Sequence, residues 1–226
     1  MRFALHPASG PACDIDIPVD RLVIAGWTGR DAAQVEHHIV ELERIGVARP
    51  STIPAFYRVG ANLLTTAGTV EVLGDTSSGE VEFVLFATAH GLLLGVGSDH
   101  TDRELEAASV ARSKQVCPKP VADALWRYDD VREHWDSLEL RSYATVGSVR
   151  RRYQAGAVAK MLDPLALLDK FGSGVSLAPG TAMFCGTLPV EGDIAPAERF
   201  EVELVDPVRG RTLRHEYVAR ALPVVA

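Results

Sequence analysis

Residues 79–89 read GEVEFVLFATA, and residues 90–106 continue HGLLLGVGSDHTDRELE. Two apolar runs of strand length flank the turn-prone pair His90–Gly91, which predicts a β-hairpin. Inside the first run stand two carboxylates, Glu80 and Glu82. Side chains two apart on a strand share a face. Unit charges about 4 Å apart at an effective dielectric near 20 repel by roughly 4 kcal/mol. Asp99, at the end of the second run, adds a third carboxylate and worsens this unless a cation sits among them. Hard oxygen ligands of this kind suit Mg²⁺ or Mn²⁺, with Ca²⁺ as a further option. Asp102 competes with Asp99 for the third position. The rival reading is that both glutamates face solvent on a half-exposed strand.

Outward from this hairpin, strand signals dominate both ends of the chain. DIDIPVDRLVIAGWTG, from residue 14, predicts a strand pair, and TVEVLG predicts a strand just before the hairpin. RFEVELVDP and RTLRHEYVARAL predict strands near the C-terminus, as does TAMFCGTLPV before them. DAAQVEHHIVELERIG is the best helix: Asp31 can cap it, Val35, Ile39 and Leu42 recur on one side, and Gly46 can stop it. DRELEAASVAR, VADALWRYDDVREHW and AVAKMLDPLALLDKFGSG are further helix candidates, and SLELRSY is a strand. SVRRRYQ, with Arg150, Arg151 and Arg152, reads as a solvated loop. Strands at both ends with few helices between them give an α+β class, not a regularly alternating α/β sheet.

The chain has 226 residues, 47% apolar and 23% charged, enough for a substantial core. A formal net charge of −7 without a basic stripe argues against a nucleic-acid partner. Cys13, Cys117 and Cys185 lie far apart without zinc spacing, which predicts a reducing compartment and no disulfide framework. The N-terminal residues lack a signal-peptide core, and the apolar run 83–97 is too short to span a membrane. The expected location is the cytoplasm.

The order of short motifs from about residue 22 to 206 resembles the fumarylacetoacetate hydrolase superfamily, and within it a small uncharacterised bacterial branch. His38 and Glu41 in EHHIVELERIG are similar to that family's His-x-x-Glu helix. Glu80 and Glu82 match its Glu-x-Glu strand, and SDHTDREL resembles its segment carrying the third metal ligand and an arginine, here Asp99 and Arg103. Lys114 matches a lysine before Cys-Pro, and APGTAMFCGTLP resembles the closing turn and strand, giving Gly186 and Thr187. Some positions depart from the pattern. Arg58 replaces a lysine, Leu188 intervenes before Pro189, and VEGD replaces the glycines that follow. Only sixteen residues separate Glu82 from Asp99, where the family usually places a helix.

The resemblance implies a mixed β-roll and one catalytic domain over residues 1–226, with residues 1–60 a strand–helix lid region and 61–226 the core. It implies a homodimer acting on a small 2-oxo acid; charge and the short apolar run have already argued against a nucleic-acid or membrane partner. Glu80, Glu82 and Asp99 would hold Mg²⁺ or Mn²⁺, and Arg103 and Lys114 would hold carboxylate or enolate oxygens. Gly186 and Thr187 would position the far carboxylate. His38 and Glu41 lie three apart on one helix face, so Glu41 can orient His38 to take a proton from water; His37 is the competitor. The expected reaction is hydrolysis of a C–C bond in a 2,4-dioxo acid. The alternatives are decarboxylation or sugar-acid dehydration on the same metal, or a non-catalytic small-molecule-binding protein. His90, His100, His134 and His215 show no metal spacing and read as structural or exposed. Trp27, Trp126 and Trp135 read as core or interface.

Overall fold

The β-branched and aromatic residues of VEFVLFAT favour a pleated strand, and the chain forms one from Val81 to Thr88. At its end the Thr88 hydroxyl accepts from His90 N at 3.1 Å and donates to Gly91 O at 2.8 Å. Gly91 turns the chain at φ +111°, which suits a residue without Cβ. The strand Gly91–Ser98 returns antiparallel, with Val81 opposite Ser98 and Glu82 opposite Gly97. The predicted hairpin therefore forms, in place of the helix found in the family pattern.

This hairpin is the middle of the fold. A computed structural model describes residues 1–44, 49–172 and 177–225, with the side chains of His38 and Leu42 outside the described residues. Among these residues an eight-stranded mixed sheet runs in the order Cys13–Asp16, Arg2–Leu5, Ala124–Arg127, Gly91–Ser98, Val81–Thr88, Thr181–Phe184, Arg21–Gly26, Ala55–Val59. A five-stranded sheet runs Val149–Ala157, Glu139–Val146, Arg199–Asp206, Arg211–Leu222, Thr69–Leu73. Strands on both sides of residue 60 thus share one sheet. The architecture is α+β, a single-domain mixed β-roll with few helices.

Both faces of Val81–Thr88 are covered, which explains its unbroken apolar run. Val81, Phe83, Leu85 and Ala87 pack into a core shared with Leu140, Val202, Leu204 and Leu213 of the second sheet. Val84 and Phe86 pack on the other face with Phe3, Leu22 and Ile24. Burying such a side chain fully stabilises by about 1.5–3 kcal/mol, so the hairpin is a firm platform.

Several predicted elements differ. Cys13–Asp16 and Arg21–Gly26 are both strands, but they do not pair with each other; the first pairs with Arg2–Leu5 and the second with Thr181–Phe184 and Ala55–Val59. The helix Ala32–Arg44 forms, its first turn capped by Asp31 Oδ1 accepting from Ala33 N and Gln34 N at 2.9 and 3.2 Å. Its predicted stop, Gly46, lies outside the described residues. DRELEAASVAR divides into helices Arg103–Ala108 and Val110–Gln115, because Ser109 leaves helical geometry and caps the second. VADALWRYDDVREHW is not a helix: Ala124–Arg127 joins the large sheet beside Gly91–Ser98, and 3₁₀ turns follow. Pairing in the sheet overrode a helical periodicity. AVAKMLDPLALLDK is α-helical only over Pro164–Lys170, after a separate 3₁₀ turn at Val158–Lys160, since proline suits the first turn and breaks what precedes it. SVRRRYQ is a strand, not a loop, and Arg150 pairs with Glu201 across the sheet at 2.6 Å. Among the described residues no helix is long and apolar enough to cross a membrane.

Candidate metal centre

The hairpin register brings the three carboxylates together. Glu80 and Asp99 sit directly beyond the pair Val81 and Ser98, and Asp99 N donates to Glu80 O at 3.0 Å. One oxygen from each of Glu80, Glu82 and Asp99 lies within 4.8 Å of the others. Glu82 is 2% exposed and Asp99 fully buried, with Glu80 half-buried at the rim. The half-exposed strand reading is excluded. Asp102 is excluded as a ligand as well: its Oδ1 caps the helix Arg103–Ala108 by accepting from Leu105 N at 2.9 Å.

Each carboxylate has its own support. The strand Thr181–Phe184 lies beside Val81–Thr88, so the turn after it passes Glu82, and Gly186 N donates to Glu82 Oε2 at 2.7 Å. That turn requires glycine: Gly186 has φ +102°, and a Cβ there would lie 1.7 Å from Thr28 Oγ1. Thr187 donates its hydroxyl to Val81 O and accepts from Gln154 Nε2, both at 2.8 Å. Gln154, fully buried, also accepts from Val81 N at 2.9 Å. It binds the second sheet to the carboxylate strand, and nothing in its sequence spacing marks it. Glu80 Oε1 accepts from Arg103 Nη1 at 3.2 Å, and Arg103 Nε donates to Ser78 Oγ at 2.6 Å. Arg58, at the family's lysine position, instead donates to Leu22 O and Asp20 O at 3.1 and 3.4 Å.

Two lysines face Asp99. Lys114 hydrogen-bonds Asp99 Oδ2 and lies 3.5 Å from Glu80 Oε2. Lys119, which sequence reasoning missed, is fully buried 3.0 Å from Asp99 Oδ1 but aims its hydrogen bond at His100 O, 2.6 Å away. Asp99 Oδ1 is thus a buried acceptor with an ion contact and no hydrogen bond. Burial would raise the Asp99 carboxyl, yet Lys114 and Lys119 outweigh it and hold it down at about 2. Glu82 goes the other way: burial, then Asp99 and Glu80, push its carboxyl well above the carboxylate range. Burial works against the Lys114 ammonium, but Asp99, Glu80 and Glu82 raise it above its ordinary value. Burial lowers Lys119 against the pull of Asp99.

This donor set fits a hard divalent cation. It offers three acidic side chains from the hairpin, a buried acceptor without a hydrogen bond, and one carboxyl, Glu82, raised by burial and by its two acidic neighbours. Arg103 and Lys114 adjoin the site, Gly186 holds Glu82, and Thr187 braces the Glu82 strand. His38 and Glu41 belong to the helix Ala32–Arg44. The His38 side chain lies outside the described residues, and Glu41 Oε1 lies 3.3 Å from Nε2 of its competitor His37 on an exposed face. Of the histidines read as structural or exposed, His100 is fully buried.

The model of a protein family described as being of unknown function, DUF2848, matches residues 25–217. The chain belongs to the DUF2848 family. No curated protein matches it in sequence. Solved structures share its fold at low identity. A yeast fumarylacetoacetate hydrolase family protein superposes at TM-score 0.64 with 15% identity, over 92% of this chain and 96% of its own. The apo form of a 2-keto-3-deoxy-D-arabinonate dehydratase gives 0.64 at 14%, over 95% and 78%. A 2-hydroxyhepta-2,4-diene-1,7-dioate isomerase from Mycobacterium marinum gives 0.60 at 15%, over 92% and 76%. This DUF2848 chain therefore has the fumarylacetoacetate hydrolase fold, as its motif order implied.

Proposed function

We propose that this protein is a divalent-metal-dependent enzyme that hydrolyses a C–C bond in a small 2,4-dioxo acid of the acylpyruvate kind. The supporting observation is the convergence of Glu80, Glu82 and Asp99 within 4.8 Å in a largely buried place flanked by Arg103 and Lys114. Mg²⁺ or Mn²⁺ suits these oxygens, and Ca²⁺ can be accommodated. When bound, the ion supplies Lewis-acid stabilisation of negative charge developing on a substrate oxygen. Arg103 and Lys114 hold the substrate's carboxylate and enolate oxygens by charge-assisted hydrogen bonds. Gly186 and Thr187 shape the end of the site nearest the far carboxylate. His38, oriented by Glu41, takes a proton from the water that adds to the distal carbonyl. The C–C bond then breaks toward the 2-oxo fragment, which is reprotonated at carbon. The helix Ala32–Arg44 closes over the β-roll core as a lid and excludes water. A cytoplasmic homodimer completes the proposal, supported by exposed Val146, Val149 and Leu73 on the second sheet.

A second reading has its own support. Glu41 Oε1 lies 3.3 Å from His37 Nε2 on an exposed face, so His37 competes with His38 for this glutamate. The metal site alone suits decarboxylation of a 2-oxo acid or dehydration of a sugar acid, the latter being what the arabinonate dehydratase of this fold is named for. The decisive experiment compares wild type with His38→Ala on an acylpyruvate and on oxaloacetate. Hydrolysis is expected to fall ~10²–10⁴-fold while decarboxylation persists, since only hydrolysis needs an activated water. Equal loss of both overturns the dyad, and wild type that decarboxylates but never cleaves acylpyruvates overturns the hydrolase assignment. Absence of bound metal in wild type would favour a non-catalytic binding protein.

A further inference from the structure

Asp99 is flanked in sequence by two residues tied to one distant phenol. Tyr217, from the strand Arg211–Leu222 of the second sheet, donates its hydroxyl to Ser98 Oγ at 2.8 Å. His100 Nδ1 lies 2.9 Å from the same hydroxyl. Because the phenol proton is given to Ser98, the oxygen accepts from His100 Nδ1–H, and His100 Nε2 accepts from Ser77 Oγ at 2.9 Å. Ser98 Oγ also accepts from Glu80 N at 3.1 Å. The chain of hydrogen bonds thus reaches both strand ends that carry the carboxylates: Ser98 and His100 around Asp99, and the backbone of Glu80 across the hairpin.

The approach of the phenol is built in. Tyr217 is fully buried, opposite Phe200 in register and stacked on its ring at 5.7 Å, and His100 meets the tyrosine ring edge-on at 5.7 Å. A Cβ at position 79 would lie 2.8 Å from the Tyr217 oxygen and 2.9 Å from Phe200. Glycine before Glu80 is what lets the second sheet come this close. Tyr217, Ser98, His100 and Ser77 are all buried, so water does not substitute for these bonds without a local rearrangement.

We infer that Tyr217 is a positioning residue for the carboxylate site, fixing the spacing of Asp99 and Glu80 so that the site favours a small, geometrically demanding divalent cation over a larger, tolerant one. The inference rests on the metal reading given above. Mg²⁺ requires near-ideal octahedral geometry with metal–oxygen distances of about 2.0–2.1 Å, whereas Ca²⁺ accepts about 2.3–2.6 Å and a variable ligand number. Loosening the hairpin ends therefore costs Mg²⁺ more than Ca²⁺. A merely structural tyrosine would change stability and leave the ratio of the two affinities alone.

The test uses full-length metal-stripped protein, wild type, Tyr217→Phe and Ser98→Ala, below the unfolding range of each by circular dichroism. Mn²⁺ binding is followed by electron paramagnetic resonance, with Mg²⁺ and Ca²⁺ as competitors. Tyr217→Phe keeps the ring packing and removes the hydroxyl. It is expected to weaken Mg²⁺ about three- to tenfold, the scale of one hydrogen bond, and Ca²⁺ less than about twofold. Ser98→Ala, which removes the shared acceptor, is expected to shift the ratio the same way and carries the test if Tyr217→Phe does not fold. Wild type that binds the cations, with an unchanged Mg²⁺:Ca²⁺ ratio in the variants, overturns the positioning role alone. Wild type that binds none of the three overturns the metal reading, and the positioning role with it.

Discussion

At the scale of the residue, Asp99 and Glu82 occupy opposite electrostatic regimes a few ångströms apart. Asp99, paired with Lys114 and Lys119, is held at about 2; Glu82, buried beside two other acids, is pushed well up. The two have opposite consequences for stability. Asp99 has a folded value below its unfolded value of about 3.9, so its contribution is present above that pH and lost as pH falls towards 2. Glu82 has a folded value above its unfolded value of about 4.3, so its contribution is present below that pH and lost as pH rises through the folded value. Metal-free Glu82→Gln is therefore expected to match wild type near pH 4 and to exceed it increasingly over the pH range above the unfolded value. The gap should widen by about 1.4 kcal/mol per pH unit until Glu82 ionises in the folded protein. Thermal unfolding across that range checks this, and parallel curves for the two proteins would refute it. The same variant is expected to bind Mg²⁺ at least about tenfold more weakly, and wild-type binding is expected to release a proton. Glu80, Glu82 and Asp99 were legible because same-face spacing and a hairpin turn are local properties. Lys119 and Gln154 were not, because their importance lies in what distant chain segments bring beside them.

At the scale of the element, the hairpin Val81–Thr88 and Gly91–Ser98 is the fixed part of the proposal and the helix Ala32–Arg44 its proposed lid. The hairpin strands are covered on both faces. The helix carries exposed His37 and Glu41, and its exposed Glu36 and Glu43 both pair with Arg49. Such surface pairs contribute little and are readily exchanged for water. Amide hydrogen exchange over residues 32–44 is expected to slow when Mg²⁺ and oxalate are added together, with little change in the hairpin. Equal exchange in both states would remove the lid. Element prediction succeeded where the signal was local: Asp31 as cap, the alternation of TVEVLG, the hairpin turn. It failed at VADALWRYDDVREHW because a helical periodicity in apolar residues cannot show that a free sheet edge waits beside Gly91–Ser98. It failed at SVRRRYQ, whose arginines are exposed as expected, because pairing with the strand Glu139–Val146 and with Glu201 and Glu191 leaves no local mark in the sequence.

At the scale of the whole molecule, the site is held by both sheets. Glu80, Glu82 and Asp99 come from the hairpin, the Gly186 turn from a neighbouring strand, and Gln154 and Tyr217 from the second sheet. A cation bound there is linked to the cooperative unit as a whole. Mg²⁺ at about one hundred times its dissociation constant should add about 2.7 kcal/mol to the unfolding free energy and move one transition, seen identically by far- and near-ultraviolet circular dichroism. Two transitions, with only one responding to Mg²⁺, would show that the sheets unfold separately.

By itself the sequence determined the α+β class, the hairpin, the three carboxylates on it and the ordered motifs of the fumarylacetoacetate hydrolase type. All of these depend on residues close together in the chain, where strand period and turn chemistry act. The tertiary structure alone decided which charges neutralise Asp99, that Glu82 is buried beside two other acids, that Asp102 caps a helix, and that Tyr217 meets Ser98 and His100 from more than a hundred positions away. Desolvation and hydrogen bonding between distant segments have no local signature, because they arise only when packing removes water from both partners at once.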